Sequence, residues 1–308
     1  MNIEEFVKKV CNEMVQHFGN EVRIKEVQKL NGVKFYGLII PTPESNVAPT
    51  IYLESFYDRY SNTGNWDETF AMILKTYTDN CVKQHFDTDW FHDFQEVQKH
   101  IFYKLINFEA NKKLLEEIPY TRYLDFAIVY YVHYDSPEIG PGDILIHNNH
   151  LEIWKCTAQA LHLIAKENTP KLFPPEAINM AEMFAPNLHM SQSDPDNADD
   201  ETEKENEDFK IPMILLTNKS KVNGAITILY GDLLQKFAET ANTDIVILPS
   251  SIHEVILLPF QDEAQILELK EKVYTENHTK VPSDIFLSDN VYLYRRGTNE
   301  IQIAGQAV

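Results

Sequence analysis

The chain has 308 residues, 44% hydrophobic and 24% charged, a globular composition that excludes wholesale disorder, collagen-like repeats and a coiled-coil rod. Asp and Glu number 47 against 27 Lys and Arg, giving a formal charge of −20, so the surface repels phosphate backbones and general nucleic-acid binding is not expected. The ten glycines show neither dinucleotide nor Walker spacing, and Cys11, Cys81 and Cys156 never form a C-x-x-C pair, so no cofactor, disulfide framework or structural zinc is expected.

Acids stand at the N-terminus where a signal peptide carries Lys or Arg. The longest apolar runs, such as Leu124 to Val132 and Ile256 to Phe260, fall far short of the roughly 18 residues of a membrane span. Both features lead us to expect a cytoplasmic protein without membrane contact. Ile3, Phe6, Val7, Val10, Met14, Val15 and Phe18 recur at three and four residues and predict an opening helix that stops near Gly19. The period then changes to two on either side of Asn31-Gly32, which predicts a hairpin, because both central residues of a type I′ turn need positive φ. A helix is predicted from Trp66 to about Val82 with Asn65 as its N-cap. Phe126 to Tyr134 reads as a central strand with Asp143 to His147 as its neighbour, and Leu151 to Ala165 as a helix ending before Asn168-Thr169-Pro170.

Ser191 to Asp208 reads SQSDPDNADDETEKENED, lacks any large apolar residue and carries −8 of the −20. Such a segment cannot bury enough apolar area to offset its ordering entropy, so a flexible acidic linker is expected there. The expected organisation is an N-terminal α+β half (1–190), the acidic linker (191–209) and a C-terminal α+β half (210–308). In the last part, strands are predicted over Pro212 to Leu216, Ala225 to Tyr230, Asp244 to Leu248, His253 to Leu258 and Asn290 to Arg295. Helices are predicted over Asp232 to Thr240, where Asp232 and Gln235 have capping-box spacing, and over Asp262 to Glu276. The fold class is therefore α+β, with mixed or antiparallel sheets and flanking helices.

Chemistry-bearing residues concentrate in Ile247-Leu248-Pro249-Ser250-Ser251-Ile252-His253-Glu254. Ser250 or Ser251 with His253 and Glu254 are the candidate catalytic residues of a hydrolase. If the stretch is extended, Ser251 and His253 share a face, yet i, i+2 side chains stand too far apart for a self-contained triad. The same residues also make an ordinary hairpin turn in which the hydroxyls bond backbone groups. Asn218, Lys219 and Lys221 form a locally basic turn before Asn223-Gly224 and are candidate ligand-binding residues for an anion, with Asp289 as a further candidate acid. Lys280, Arg295 and Arg296 join this group only if the last strand lies alongside. His85, Asp87, Asp89, His92 and Asp93 have metal-ligand chemistry but no H-E-x-x-H spacing, and no metal is expected.

NGVKFYGLII (31–40), PTIYLESFYDRY (49–60), KLINFEANKKLLEEIP (104–119), LDFAIVYYV (124–132), LTNKSKVNGAITILY (216–230), ILPSSIHEVILLP (247–259) and LSDNVYLY (287–294) resemble an uncharacterised family of anaerobic gut Firmicutes, a domain of unknown function. The resemblance spans nearly the whole chain, with ILPSSIHEVILLP its most specific piece. It implies a bacterial protein and brings no activity, so no catalytic role follows from it. More loosely, His253-Glu254-Val255-Ile256 is similar to the His-containing apolar strand of a second, bacillar uncharacterised family. The expected function is a non-enzymatic protein-binding or regulatory module, with acidic mimicry of nucleic acid as a special case. The alternative is the hydrolase.

Overall fold

The computed structural model describes residues 1–82, 84–85, 88–136, 140–181 and 213–305. Contacts divide the chain into two units, residues 1–97 with 133–143, and residues 98–132 with 144–308. The acidic segment Ser191 to Asp208 and the candidate ligand Asp87 lie outside the described residues.

In the first unit, α1 (Ile3–Phe18) starts at a reciprocal cap. Asn2 Oδ1 accepts the Glu5 N–H at 2.8 Å, and Glu5 Oε2 accepts the Asn2 N–H at 3.1 Å. Its apolar stripe (Phe6, Val7, Val10, Met14) is buried, as the three–four spacing requires. β1 (Arg23–Gln28) and β2 (Lys34–Ile39) pair antiparallel around Asn31 and Gly32, at φ 58° and 73°, and β3 (Thr50–Tyr52) adds to β2. The positive φ of both turn residues is the physical reason for the Asn-Gly pair. α2 (Glu54–Thr63) and α3 (Trp66–Asn80) follow in this unit, α3 being capped by Asn65 Oδ1 on the Glu68 N–H at 3.2 Å.

The second unit is built on two sheets. β6 (Phe126–Ser136), of which residues 126–132 belong here, lies between β4 (Ile101–Asn107) and β5 (Tyr120–Tyr123), and β7 (Gly140–Leu145) also pairs with it. The Pro-Gly neighbour strand is therefore present and begins three residues earlier than predicted. The other sheet has six strands. β8 (Pro175–Asn179), β9 (Ile214–Asn218), β10 (Ile245–Ser251), β11 (Glu254–Pro259), β12 (Tyr292–Arg295) and β13 (Glu300–Ile303) pair antiparallel in the order β13-β12-β10-β11-β9-β8. β8 precedes the acidic segment in sequence and β9 follows it, so strands from both sides of that segment share one sheet. β10 is buried at all but one position, as a continuous apolar run in a central strand should be.

Three local predictions are corrected. The helix read over Leu151 to Ala165 is two helices, α4 (Asn148–Trp154) and α5 (Ala158–Leu172), broken where Lys155 takes φ 52°. α5 also runs through Asn168-Thr169-Pro170 instead of stopping before them. Pro170 lies in its last turn, and the Phe173 N–H still donates to the Thr169 carbonyl at 2.8 Å. The predicted strand Ala225 to Tyr230 is a buried 3₁₀ run over Gly224–Leu229, closed by Thr227 Oγ1 donating to the Gly224 carbonyl at 2.7 Å. A short, continuously apolar segment gives no periodicity from which to tell the two apart. Finally, α6 (Leu233–Ala241) follows Asp232 without a capping box, because Asp232 pairs with Lys236 and Gln235 with Glu239.

α7 (Glu263–Thr279) lies on one face of the six-stranded sheet, where Val246, Leu248, Leu258, Ile266, Val273, Val291 and Leu293 form a core. Among the described residues no helix is long and apolar enough to cross a membrane.

Candidate functional site

The C-terminal end of β9 and the β10–β11 turn meet at one corner of the six-stranded sheet. Asn218, 1% exposed, organises the first side of it. Its Nδ2 donates to the Val222 carbonyl at 2.8 Å, its Oδ1 accepts from Ser220 Oγ at 2.8 Å, and its carbonyl accepts the Lys221 N–H at 2.9 Å. Lys221 and Asn223 take φ 58° and 55°, a left-handed conformation that asparagine adopts more readily than lysine. Asn218 is thus a turn organiser. Lys219 and Lys221 stand exposed on the same turn.

A register shift between Pro249 and Ser251 ends β10 and sets the second side. Ser251 Oγ accepts the His253 N–H at 3.0 Å, and the Ile252 N–H donates to the Ile285 carbonyl at 2.9 Å. The two sides are then clamped together. Thr217 Oγ1 donates to the His253 carbonyl at 2.8 Å, and the Asn223 N–H donates to His253 Nδ1 at 3.0 Å. Gly224 sits in the clamp. A Cβ there would collide with Thr217 Oγ1 and the His253 carbonyl oxygen and lie 2.8 Å from the Asn218 nitrogen, so only glycine fits.

The Asn223 N–H can only donate, so His253 Nδ1 must accept, and the proton of the neutral ring is on Nε2. Among the described residues no acceptor meets that Nε2–H. Burial of the ring is the largest influence on its titration and pushes the pKa below the ordinary 6.5. Lys104 acts in the same direction, while Glu254 and Asp284 oppose it. The corner therefore holds a neutral imidazole, fixed by backbone, with one donor free.

Ser250 belongs elsewhere. Its Oγ lies 3.3 Å from Glu254 Oε1, and it lines the α7 face of the sheet with Leu248 and Ile256. The alternation of a strand thus separates Ser250 from Ser251 and His253. On that face a groove of about 830 Å³ runs beside α7. Asp289 is held by Asn277 Nδ2 at 2.9 Å and lies 3.7 Å from His278. Arg295 pairs with Asp244 at 3.0 Å, and the Arg296 N–H donates to the same carboxylate at 2.8 Å. Asp244 precedes the first residue of β10, so these arginines are roughly 20 Å from Lys219 and Lys221 at the rise of a strand. Lys280 is paired with Glu276. The two arginines therefore do not join the β9 turn, and Lys280 lines the α7 face of the sheet together with Ser250. Among the described residues no cluster of three or more His, Cys, Asp or Glu could hold a metal ion.

Sequence reasoning marked His253 and Asn218 but missed Thr217, Asn223 and Gly224 as their partners. The Asn-Gly dipeptide signalled a turn, and nothing in the sequence showed that the turn closes on an imidazole 30 residues away.

These features define a mixed α+β protein with antiparallel sheets and a backbone-clamped histidine at one sheet corner. The chain belongs to the family described as "Family of unknown function (DUF5688)", whose model matches residues 3–296. No curated protein and no solved structure matches the chain.

Proposed function

We propose that the chain is a non-enzymatic protein-binding module whose recognition point is the His253 corner. The observation that carries this reading is the 3.0 Å bond from the Asn223 N–H to His253 Nδ1. A ring in this state offers Nε2–H as a donor to a carbonyl or carboxylate of a partner, and the exposed Lys219 and Lys221 bring positive charge to the adjacent turn of a strongly acidic chain. A serine hydrolase needs the opposite: a ring nitrogen with a free lone pair within about 3 Å of a hydroxyl. Here that lone pair is taken, Ser251 Oγ accepts from backbone, and Ser250 faces the other side of the sheet.

The test uses His253→Asn, whose Oδ1 can still accept from the Asn223 N–H while the Nε2–H donor is lost. In affinity capture from lysate of the producing cell, the full chain should retain a stoichiometric partner in moderate salt. His253→Asn should recover at least about tenfold less of it, a loss of about 1.4 kcal/mol. A serine-directed fluorophosphonate should label neither Ser250 nor Ser251. Equal recovery by the variant, or a covalent adduct on either serine, overturns the reading.

A further inference from the structure

The groove on the α7 face has one helical wall and no facing wall among the described residues. Its lining comes from β10, β11, Met213 beside β9, and α7 with the residues flanking it. Met213, Leu248, Ile256, Leu258, Leu269 and Val273 give it an apolar floor and wall. It follows α7 from Gln261 to Val281, and at 1.5 Å per residue the 17-residue helix makes it about 25 Å long. Six strands spaced near 4.8 Å span about 24 Å, twice the width of one helix, so α7 covers only part of this face. The residues that α7 and its two caps turn toward the groove include a row at three and four positions (Asp262, Gln265, Leu269, Lys272, Glu276, Lys280), the ridge spacing that receives a second helix at 8–10 Å.

The charges at the rim select the occupant. Lys272 is bridged to Glu268 at 2.8 Å and Lys280, just past α7, to Glu276 at 2.9 Å, which leaves Asp262 as the excess charge among these lining residues in a chain of net −20. A cationic partner is steered toward such a surface and an acidic one is repelled. We infer that the α7 groove docks an amphipathic helix of a partner protein, with an apolar face on the sheet and Lys or Arg on its outer face. This goes beyond the His253 reading: it names a second surface with its own partner class, and it makes no use of His253.

A synthetic 18-residue Leu-Lys peptide patterned for one apolar helical face serves as the probe, read by fluorescence anisotropy on the full chain. The patterned peptide should bind at least about tenfold more tightly than a scrambled peptide of the same composition or a Leu-Glu peptide of the same pattern. Leu269→Asp, on the half-buried wall, should weaken it at least about tenfold even though the substitution makes the chain more acidic; Val281→Asp should do the same at the groove's end. Adsorption by charge alone predicts equal or tighter binding to both variants, and that result overturns the inference, as does indifference to scrambling. Binding seen only in a chain lacking residues 185–209 would mean that the chain itself occupies the groove, and also overturns it. An unaffected Leu269→Asp fails this inference alone, whereas an unaffected His253→Asn fails the His253 reading alone.

Discussion

Asp125→Ala is expected to lower the unfolding free energy of the second unit by about 4 kcal/mol, measured as a shift of the urea midpoint. Asp125 follows Leu124, held at φ 55° in the β5–β6 turn, and its carboxylate is the shared acceptor of a network reaching to β12. Ser288 Oγ donates to it at 2.7 Å, Asn290 Nδ2 at 3.0 Å and Tyr292 Oη at 2.5 Å, while Ser288 Oγ also accepts the Asn290 N–H at 2.9 Å. Ser288 and Tyr292 are each 1% exposed, so removing the acceptor strands the buried Ser288 hydroxyl where water cannot reach it, while Tyr292 Oη keeps only Ser288 Oγ as acceptor, at 2.8 Å. Burial holds the Tyr292 phenol far above its ordinary pKa, with Asp125 adding to the effect, so the hydroxyl stays a donor throughout the working pH range. Asp125→Asn should cost less, about 2 to 3 kcal/mol, since one oxygen remains while the amide faces donors. A midpoint shift equivalent to under about 1 kcal/mol for Asp125→Ala would show that the network does not hold these two sheets' strands in place.

Gly224→Ala is the second large effect, at about 3 kcal/mol. The added methyl meets Thr217 Oγ1, the His253 carbonyl oxygen and the Asn218 nitrogen from within the clamp; two of those three are backbone atoms that cannot rotate away, and the third is held by its bond to the His253 carbonyl. Relief requires that the β9 turn separate from the β10–β11 turn, so the Asn223 bond to His253 should be lost along with the stability. Gly297→Ala is the control, because nothing lies within 4 Å of its Cβ position and no positive φ applies. Its midpoint should stay within about 0.5 kcal/mol of the parent. Equal effects at the two glycines would contradict the clamp.

The contrast between these two sites explains how much of the protein could be read in advance. Local rules sufficed wherever the cause was local. The 3.6 period placed α1, the positive-φ demand of Asn31-Gly32 placed the first hairpin, and the side chain of Asn65 placed the start of α3. They failed where partners are distant in sequence. Ala225 to Tyr230 looks like a strand until β9 and β10–β11 surround it, and Pro170 looks like a stop until it falls in a final turn. The site shows the same division. His253 and Asn218 were visible as polar residues among apolar strands, and strand alternation alone puts Ser251 with His253 and Ser250 on the other face, whereas the clamp on His253 depends on pairings between residues 30 or more apart. Asp125 went unmarked because a lone acid in an apolar run carries no signal of the three donors that reach it from residues 288–292.

The binding role of the His253 corner rests on the state of one ring, and long-range ¹H–¹⁵N spectra of the histidine-labelled full chain read that state directly, with His253→Asn assigning the signal. At pH 8 the proton should sit on Nε2, with Nδ1 bare and hydrogen-bonded. On titration the midpoint should fall below 6.5, the direction set by burial. Because the unfolded ring then binds its proton first, His253 contributes stability above pH 6.5 that is lost as the pH falls through and below it. A proton on Nδ1, or a midpoint at or above 6.5 with Nδ1 free to take protons, would make His253 a base available for catalysis and rule out a donor role fixed by the Asn223 N–H.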